Sequence, residues 1–261
     1  MKIKMYQVDA FADQLFKGNP AAVCLPDEPI GDGIMQKIAA ENNLSETAFV
    51  IKTEGIPVIR WFTPKVEVDL CGHATLATAH VFYHHLGFTG NELSFSSKSG
   101  ILKIRKENDL LILDFPSEKP RRTVLPPMLA ESLGIYPVES LIGKTDYLLV
   151  YDHREQIETM KPDFVKMGTV AARGVIVTAK GDSVDFVSRF FGPRVGINED
   201  PVTGSAHTKL IPYWSERLGK KELSALQLSE RGGSLMCRDK GDRVEIGGKA
   251  VTYFEGEVSL P

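Results

Sequence analysis

A chain of 261 residues, 43% hydrophobic and 25% charged, can bury a sizeable core, and at roughly 150 residues per domain its length suggests about two domains. A formal net charge of −3, with no basic cluster beyond the pair Arg121-Arg122, argues against nucleic-acid or membrane-surface partners, both of which select a basic face. No signal-peptide run or stretch of ~20 apolar residues is present, and Cys24, Cys71 and Cys237 stand at unrelated spacings that give neither a disulfide framework nor a zinc pattern; a cytoplasmic protein with reduced thiols is expected.

Taken in chain order, "MKIKMYQVDAF" alternates like a strand. "RWFTPKV", from Arg60, reads as a strand running into a Pro-containing turn. In "EVDLCGHATLATAHVFYHHLG", Gly72 opens an apolar-periodic helix for which Gly87 is the expected C-cap. "LSFSSKSGILKIRKENDLLILDF", from Leu93, has the strand–turn–strand rhythm of hairpins. "SEKPRRTVLPP" then reads as linker, which divides the chain into halves at 1–116 and 117–261.

The second half repeats the first. "RFFGPRV", from Arg189, echoes "RWFTPKV"; "GINEDPVTGSAHTKLIPYWSERLG" again leads through a Gly into a helix ending in Leu-Gly; "LQLSERGGSLMCRDKGDRVEIGG" echoes the hairpins. Three features in the same order indicate an internal duplication. The final strand, "VTYFEGEVSL", is free to cross back to the first half.

Two similar halves suggest a pseudo-twofold arrangement, and clefts between domains are preferred ligand sites. The junctions "CGHAT" and "TGSAH" would offer helix-start N–H groups, with Gly72 and Gly204 allowing close approach. Each helix start is worth about 0.3–1 kcal/mol to an anion. A small carboxylated metabolite suits such a site. No GxxxxGK[ST] or strand-following GxGxxG supports a nucleotide, so no cofactor is expected.

The strings "VDAFADQLFKGNPAAVC", "NNLSETAFV", "DLCGHATLATAH" and "NEDPVTGSAH" together resemble the PhzF-like, phenazine biosynthesis-like family, within the diaminopimelate epimerase and proline racemase fold group. The resemblance implies an α+β fold of two pseudo-symmetric halves, each a curved mixed sheet around a central helix. It also implies a catalytic cleft between the halves, cofactor-independent isomerisation near a carboxylate, and a homodimer.

Carried over residue by residue, the resemblance makes Glu46 the general acid/base and His73 its histidine partner, able to donate to a substrate carbonyl or relay a proton. Asp200 and Ser205 become the polar pair that holds the substrate, with Cys71, Gly72, Ala74, Thr203 and Gly204 lining the binding site. Read without it, Glu46 is first an exposed or helix-capping glutamate, while His73 could be a helix-start residue and Asp200 a turn residue. Asp69 and His207 are weaker candidates. His80, His84 and His85 have no carboxylate beside them in sequence, and read as helix-face residues rather than metal ligands.

Cys71 stands where two-thiol racemases of the fold group place one catalytic cysteine, but Thr203 occupies the opposing position, and a hydroxyl is too weak an acid to complete a two-thiol exchange. Glu-centred isomerisation is therefore the leading reading. A Cys71-assisted α-proton epimerase or dehydratase, and a non-catalytic small-acid-binding protein, are the alternatives.

Overall fold

The structure, a computed structural model, describes residues 1–260. Residues 1–114, with the C-terminal stretch from Gly247, form one compact unit; residues 115–246 form the other. The first contains β1 (Lys2–Ala10), β2 (Asn19–Leu25), α1 (Asp32–Asn42), β3 (Glu46–Ile51), β4 (Val58–Phe62), β5 (Glu67–Val68), α2 (Gly72–His84), β6 (Glu92–Ser97) and β7 (Gly100–Glu107), and β8 (Leu110–Pro116) ends at the boundary.

The second runs through β9 (Arg121–Arg122), α3 (Pro127–Leu133), β10 (Glu139–Ile142), β11 (Asp146–Val150), α4 (Arg154–Glu158), α5 (Phe164–Met167) and β12 (Gly174–Lys180). It continues with β13 (Phe186–Gly192), β14 (Ile197–Asp200), α6 (Gly204–Leu218), β15 (Glu222–Gln227) and β16 (Gly233–Asp239). β17 (Arg243–Gly248) then returns the chain to the first unit, where β18 (Ala250–Ser259) runs antiparallel to β1.

The duplication extends to strand order. In the first unit β1–β2–β3–β4–β6–β7 pair in the sequence antiparallel, parallel, antiparallel, parallel, antiparallel. In the second, β10–β11–β12–β13–β15–β16 repeat that sequence. Each parallel pair needs a crossover, supplied by α1 and α2 in one unit and by α4–α5 and α6 in the other. In each, a short strand (β5, β14) returns antiparallel on its neighbour just before the second crossover helix.

The repeated heptads have the same local structure. Arg60 forks onto Glu67 (Nε–Oε1 2.8 Å, NH2–Oε2 2.9 Å) and lies over the Phe62 ring. Arg189 forks onto Glu199 (2.7 and 2.9 Å) and lies over Phe191. A guanidinium can grip a carboxylate with two parallel N–H bonds while its flat face covers an aromatic ring, which a lysine cannot do. The motif braces each strand against the turn that leads to the helix.

α2 is buried at every residue from His73 to Val81. A helix apolar all round is a core helix, and its Ala and Thr residues let the surrounding strands approach closely. α6 carries Pro212, which cannot donate to the carbonyl of Thr208. That carbonyl instead accepts from Glu118 N–H at 3.0 Å, so the missing helix bond is replaced from outside the helix.

Gly219, as read from sequence, is the left-handed C-cap of α6 (φ 65°). Gly87 is not the cap of α2: the helix ends at His84, His85 caps it in a right-handed conformation, and Gly87 (φ 68°) turns the chain two residues later. The carboxylate missing near the helix histidines in sequence comes from β18, where Glu255 lies 3.4 Å from His85 Nδ1. His80 and His85 both hydrogen-bond Thr252 Oγ1 (3.0 and 2.7 Å), fastening α2 to the last strand.

Candidate functional site

Three separate elements bring Glu46, Cys71, His73 and Asn19 together in the first unit. Glu46 is the first residue of β3, beside Ala21 of the parallel strand β2, and its side chain is 15% exposed. Cys71 is the N-cap of α2, in extended conformation, and His73 stands in the first turn. Asn19 opens β2.

The imidazole of His73 lies in the middle of this group. Its Nδ1 is 3.3 Å from Asn19 Nδ2 and 3.5 Å from Cys71 Sγ. Its Nε2 is 3.3 Å from Glu46 Oε2, yet completes no hydrogen bond among the described residues. Burial pushes the His73 pKa down to about 3, so the ring is neutral at physiological pH. The other two thiols are held protonated: burial pushes Cys24 up to about 12 and raises Cys237 as well.

The donor atoms of Glu46, Cys71 and His73 lie within 4.8 Å of one another. Carboxylate, thiol and imidazole could serve a soft divalent ion. However, the thiol faces Nδ1 and the carboxylate faces Nε2, and one ion can take only one of those nitrogens. The arrangement is better suited to proton chemistry than to a metal.

The second unit presents the duplicate motif with different side chains. Thr203 is the N-cap of α6, and its Oγ1 donates to Asp200 Oδ2 at 2.6 Å. Gln227, from β15, ties the turn together: its Oε1 accepts from Thr203 N (2.9 Å), and its Nε2 donates to Asp200 O (2.7 Å) and Thr203 Oγ1 (3.1 Å). Ser205 is exposed, and its Oγ accepts from Arg173 NH2 at 2.9 Å. Arg173 in turn forks onto buried Asp146 (2.8 and 2.6 Å), which also holds Lys209 (3.0 Å). His207 Nδ1–H donates to the Thr203 carbonyl (2.8 Å), and Thr75 Oγ1 donates equivalently to the Cys71 carbonyl (2.5 Å), so both helix starts are braced alike.

Residues 8–256 match the phenazine biosynthesis-like protein family. The chain belongs to that family. An uncharacterized isomerase of Pseudomonas aeruginosa is 53% identical to this phenazine biosynthesis-like protein over 260 residues, covering 100% of both chains. A solved PhzF-family structure from Enterococcus faecalis has a TM-score of 0.97 at 48% identity, again covering 100% of both chains. A hydroxyproline epimerase of Agrobacterium vitis shares the fold alone, with a TM-score of 0.64 at 10% identity over 99% of this chain and 93% of that one. The α+β, epimerase-like fold expected from the sequence is thus the fold of this protein, and the family relationship makes it an isomerase.

Of the residues singled out in sequence, Glu46, Cys71 and His73 of this phenazine biosynthesis-like protein share one cluster. Asp200 and Thr203 share a second hydrogen-bonded group, with Ser205 beside it through Arg173. Gly72 and Gly204 open the two helices. Ala74 is 0% exposed, so its methyl group is core, and only its backbone N–H could face a ligand. His207 is likewise buried, and Asp69 offers its carbonyl to Ser99. Asn19, Gln227 and Arg173 were not read as functional from sequence; the one available signal for Asn19 was its place in "KGNPA", beside a glycine and a proline. No helix among the described residues is long and apolar enough to cross a membrane.

Proposed function

We propose that the protein moves a proton between carbons of a small carboxylated metabolite, with Glu46 as the general acid/base. The observation that supports this most is His73 Nε2: it is buried, completes no hydrogen bond among the described residues, and lies 3.3 Å from the Glu46 carboxylate. A buried polar atom without a hydrogen bond is costly unless something answers it, and a substrate oxygen beside Glu46 would do so.

In this reading the Glu46 carboxylate removes an acidic C–H proton and becomes a carboxylic acid. The electron pair passes into the substrate's conjugated system, where charge on an oxygen is met by His73 Nε2–H and the N–H groups at the start of α2. Glu46 then returns the proton to another carbon and is restored. A neutral imidazole suits this role, because it stabilises the oxyanion without protonating it. Asp200 and Ser205 are assigned to substrate positioning on the family resemblance, as is assembly into a homodimer.

Cys71 supports a second reading, an α-proton epimerase or dehydratase assisted by the thiol, because Sγ contacts the same imidazole at 3.5 Å. A screen separates the two. The protein is incubated in D2O with a panel of amino acids, hydroxy acids and unsaturated carboxylic acids, and carbon-bound deuterium is followed by NMR. Glu-centred isomerisation gives exchange that survives Cys71→Ser within about threefold, whereas thiol-assisted chemistry loses at least about 100-fold. Failure of every panel acid to exchange would favour a binding protein.

A further inference from the structure

We infer that Asn19 holds His73 in the Nε2–H tautomer and thereby makes it a fixed hydrogen-bond donor beside Glu46, unable to relay the proton that Glu46 takes. As a statement about catalysis this rests on the proposed roles of Glu46 and His73; as a statement about the tautomer it stands alone.

The argument begins with valence. A neutral imidazole carries one N–H, and burial keeps His73 neutral. An amide nitrogen has hydrogens to give and no lone pair to offer, so Asn19 Nδ2, 3.3 Å from Nδ1, must donate and Nδ1 must accept. The S–H of Cys71, 3.5 Å from the same nitrogen, can add a second, weaker donor to it. The ring proton is therefore on Nε2, the atom facing Glu46. With that site filled, the ring cannot accept a proton from Glu46.

The backbone fixes Asn19 tightly enough for this role. Asn19 is 0% exposed and paired with Ala10 across β1–β2. Gly18, just before it, has φ +66°, and a Cβ there would run into the Ala10 carbonyl. Pro20 follows and restricts the chain further. A positive φ next to a close backbone approach is a position for glycine, and its effect is to deliver the Asn19 amide to the imidazole. The opposite amide orientation would present an oxygen to Nδ1 and demand a proton there, so the tautomer is a direct readout.

The test is 15N NMR of histidine-labelled protein, with the His73 signals assigned by their loss in His73→Gln. The expected spectrum has a protonated, pyrrole-type Nε2 and a bare, pyridine-type Nδ1. A protonated Nδ1 in the spectrum of the wild-type protein overturns the inference. Asn19→Asp replaces the donor by a group that only accepts; the proton should move to Nδ1 and the His73 pKa should rise from about 3.

For a panel acid that exchanges with the wild-type protein, Asn19→Asp should lower kcat at least about 100-fold with KM little changed, and introduce a new ionisation into the pH profile. An unchanged tautomer in that variant also overturns the inference. The spectrum needs no substrate, so failure of the isomerase reading in the exchange screen is a separate result.

Discussion

Asp146→Ala perturbs the most enclosed charge network in the second unit. Asp146 is 0% exposed; it receives two hydrogen bonds from Arg173 (2.8 and 2.6 Å) and lies 3.0 Å from Lys209 Nζ, whose side chain is 3% exposed. Burial by itself would raise the Asp146 pKa, yet hydrogen bonds and charge from Arg173 and Lys209 together lower it. Removing one member of a buried pair costs about 3–5 kcal/mol, because the other charge is stranded. Arg173 is 38% exposed and can turn to water, while Lys209 keeps Glu118 at 3.2 Å. Both place the expected loss near the lower end, about 3 kcal/mol.

Urea unfolding reads this selectively, since Trp214 is in the second unit and the chain's other tryptophan, Trp61, in the first. In a Trp61→Phe background, with a slope of about 2 kcal/mol per molar, the midpoint should fall by about 1.5 M. Asp146→Ala combined with Lys209→Met should recover part of that loss by removing the stranded ammonium. A fall below about 0.3 M, or a double variant no more stable than the single, would refute the assignment of stability to this network.

Two more outcomes follow from burial and geometry. His73 and His80 are pushed down to about 3 and His207 to about 4, against 6.5 for a free histidine. Their contribution is intact above pH 6.5 and is lost as pH falls below it, because the unfolded chain then binds protons that the native one refuses. Each contributes up to about 1.4 kcal/mol per pH unit, so between pH 6.5 and 5 the Trp61 transition, with His73 and His80 in its unit and His84 also held below its ordinary value by burial, should weaken at least about twice as steeply as that of Trp214; equal or flat slopes would contradict this. Arg189→Lys should cost about 2 kcal/mol, since a lysine cannot fork onto Glu199 while also bonding the Ile157 and Met160 carbonyls. Urea unfolding of that variant is the check, and a cost below about 0.5 kcal/mol would count against the brace.

The duplication was legible because it is written in local terms: β-branched and aromatic strands, a Pro turn, a Gly-led helix and a hairpin recur in one order. Strand order then follows from the same elements. The partners that brace the repeat were not legible. Glu67 lies seven residues after Arg60 but Glu199 ten after Arg189, so no fixed spacing marks the fork. In the candidate site, Glu46 could be read as a helix cap until its position at the start of β3 aligned it with β2. Asn19 meets His73 only because a strand and a helix 54 residues apart in sequence are placed side by side. Gln227, Arg173 and Glu255 are similar cases, in which chemistry depends on register between distant segments.

The most direct test of the central claim is carbon–deuterium exchange of a panel acid in D2O by Glu46→Gln beside the wild-type protein. Glutamine keeps the shape and removes the base, so the account predicts a loss of at least about 100-fold in kcat, with the fold unchanged by circular dichroism. Exchange by Glu46→Gln at close to the wild-type rate would contradict it.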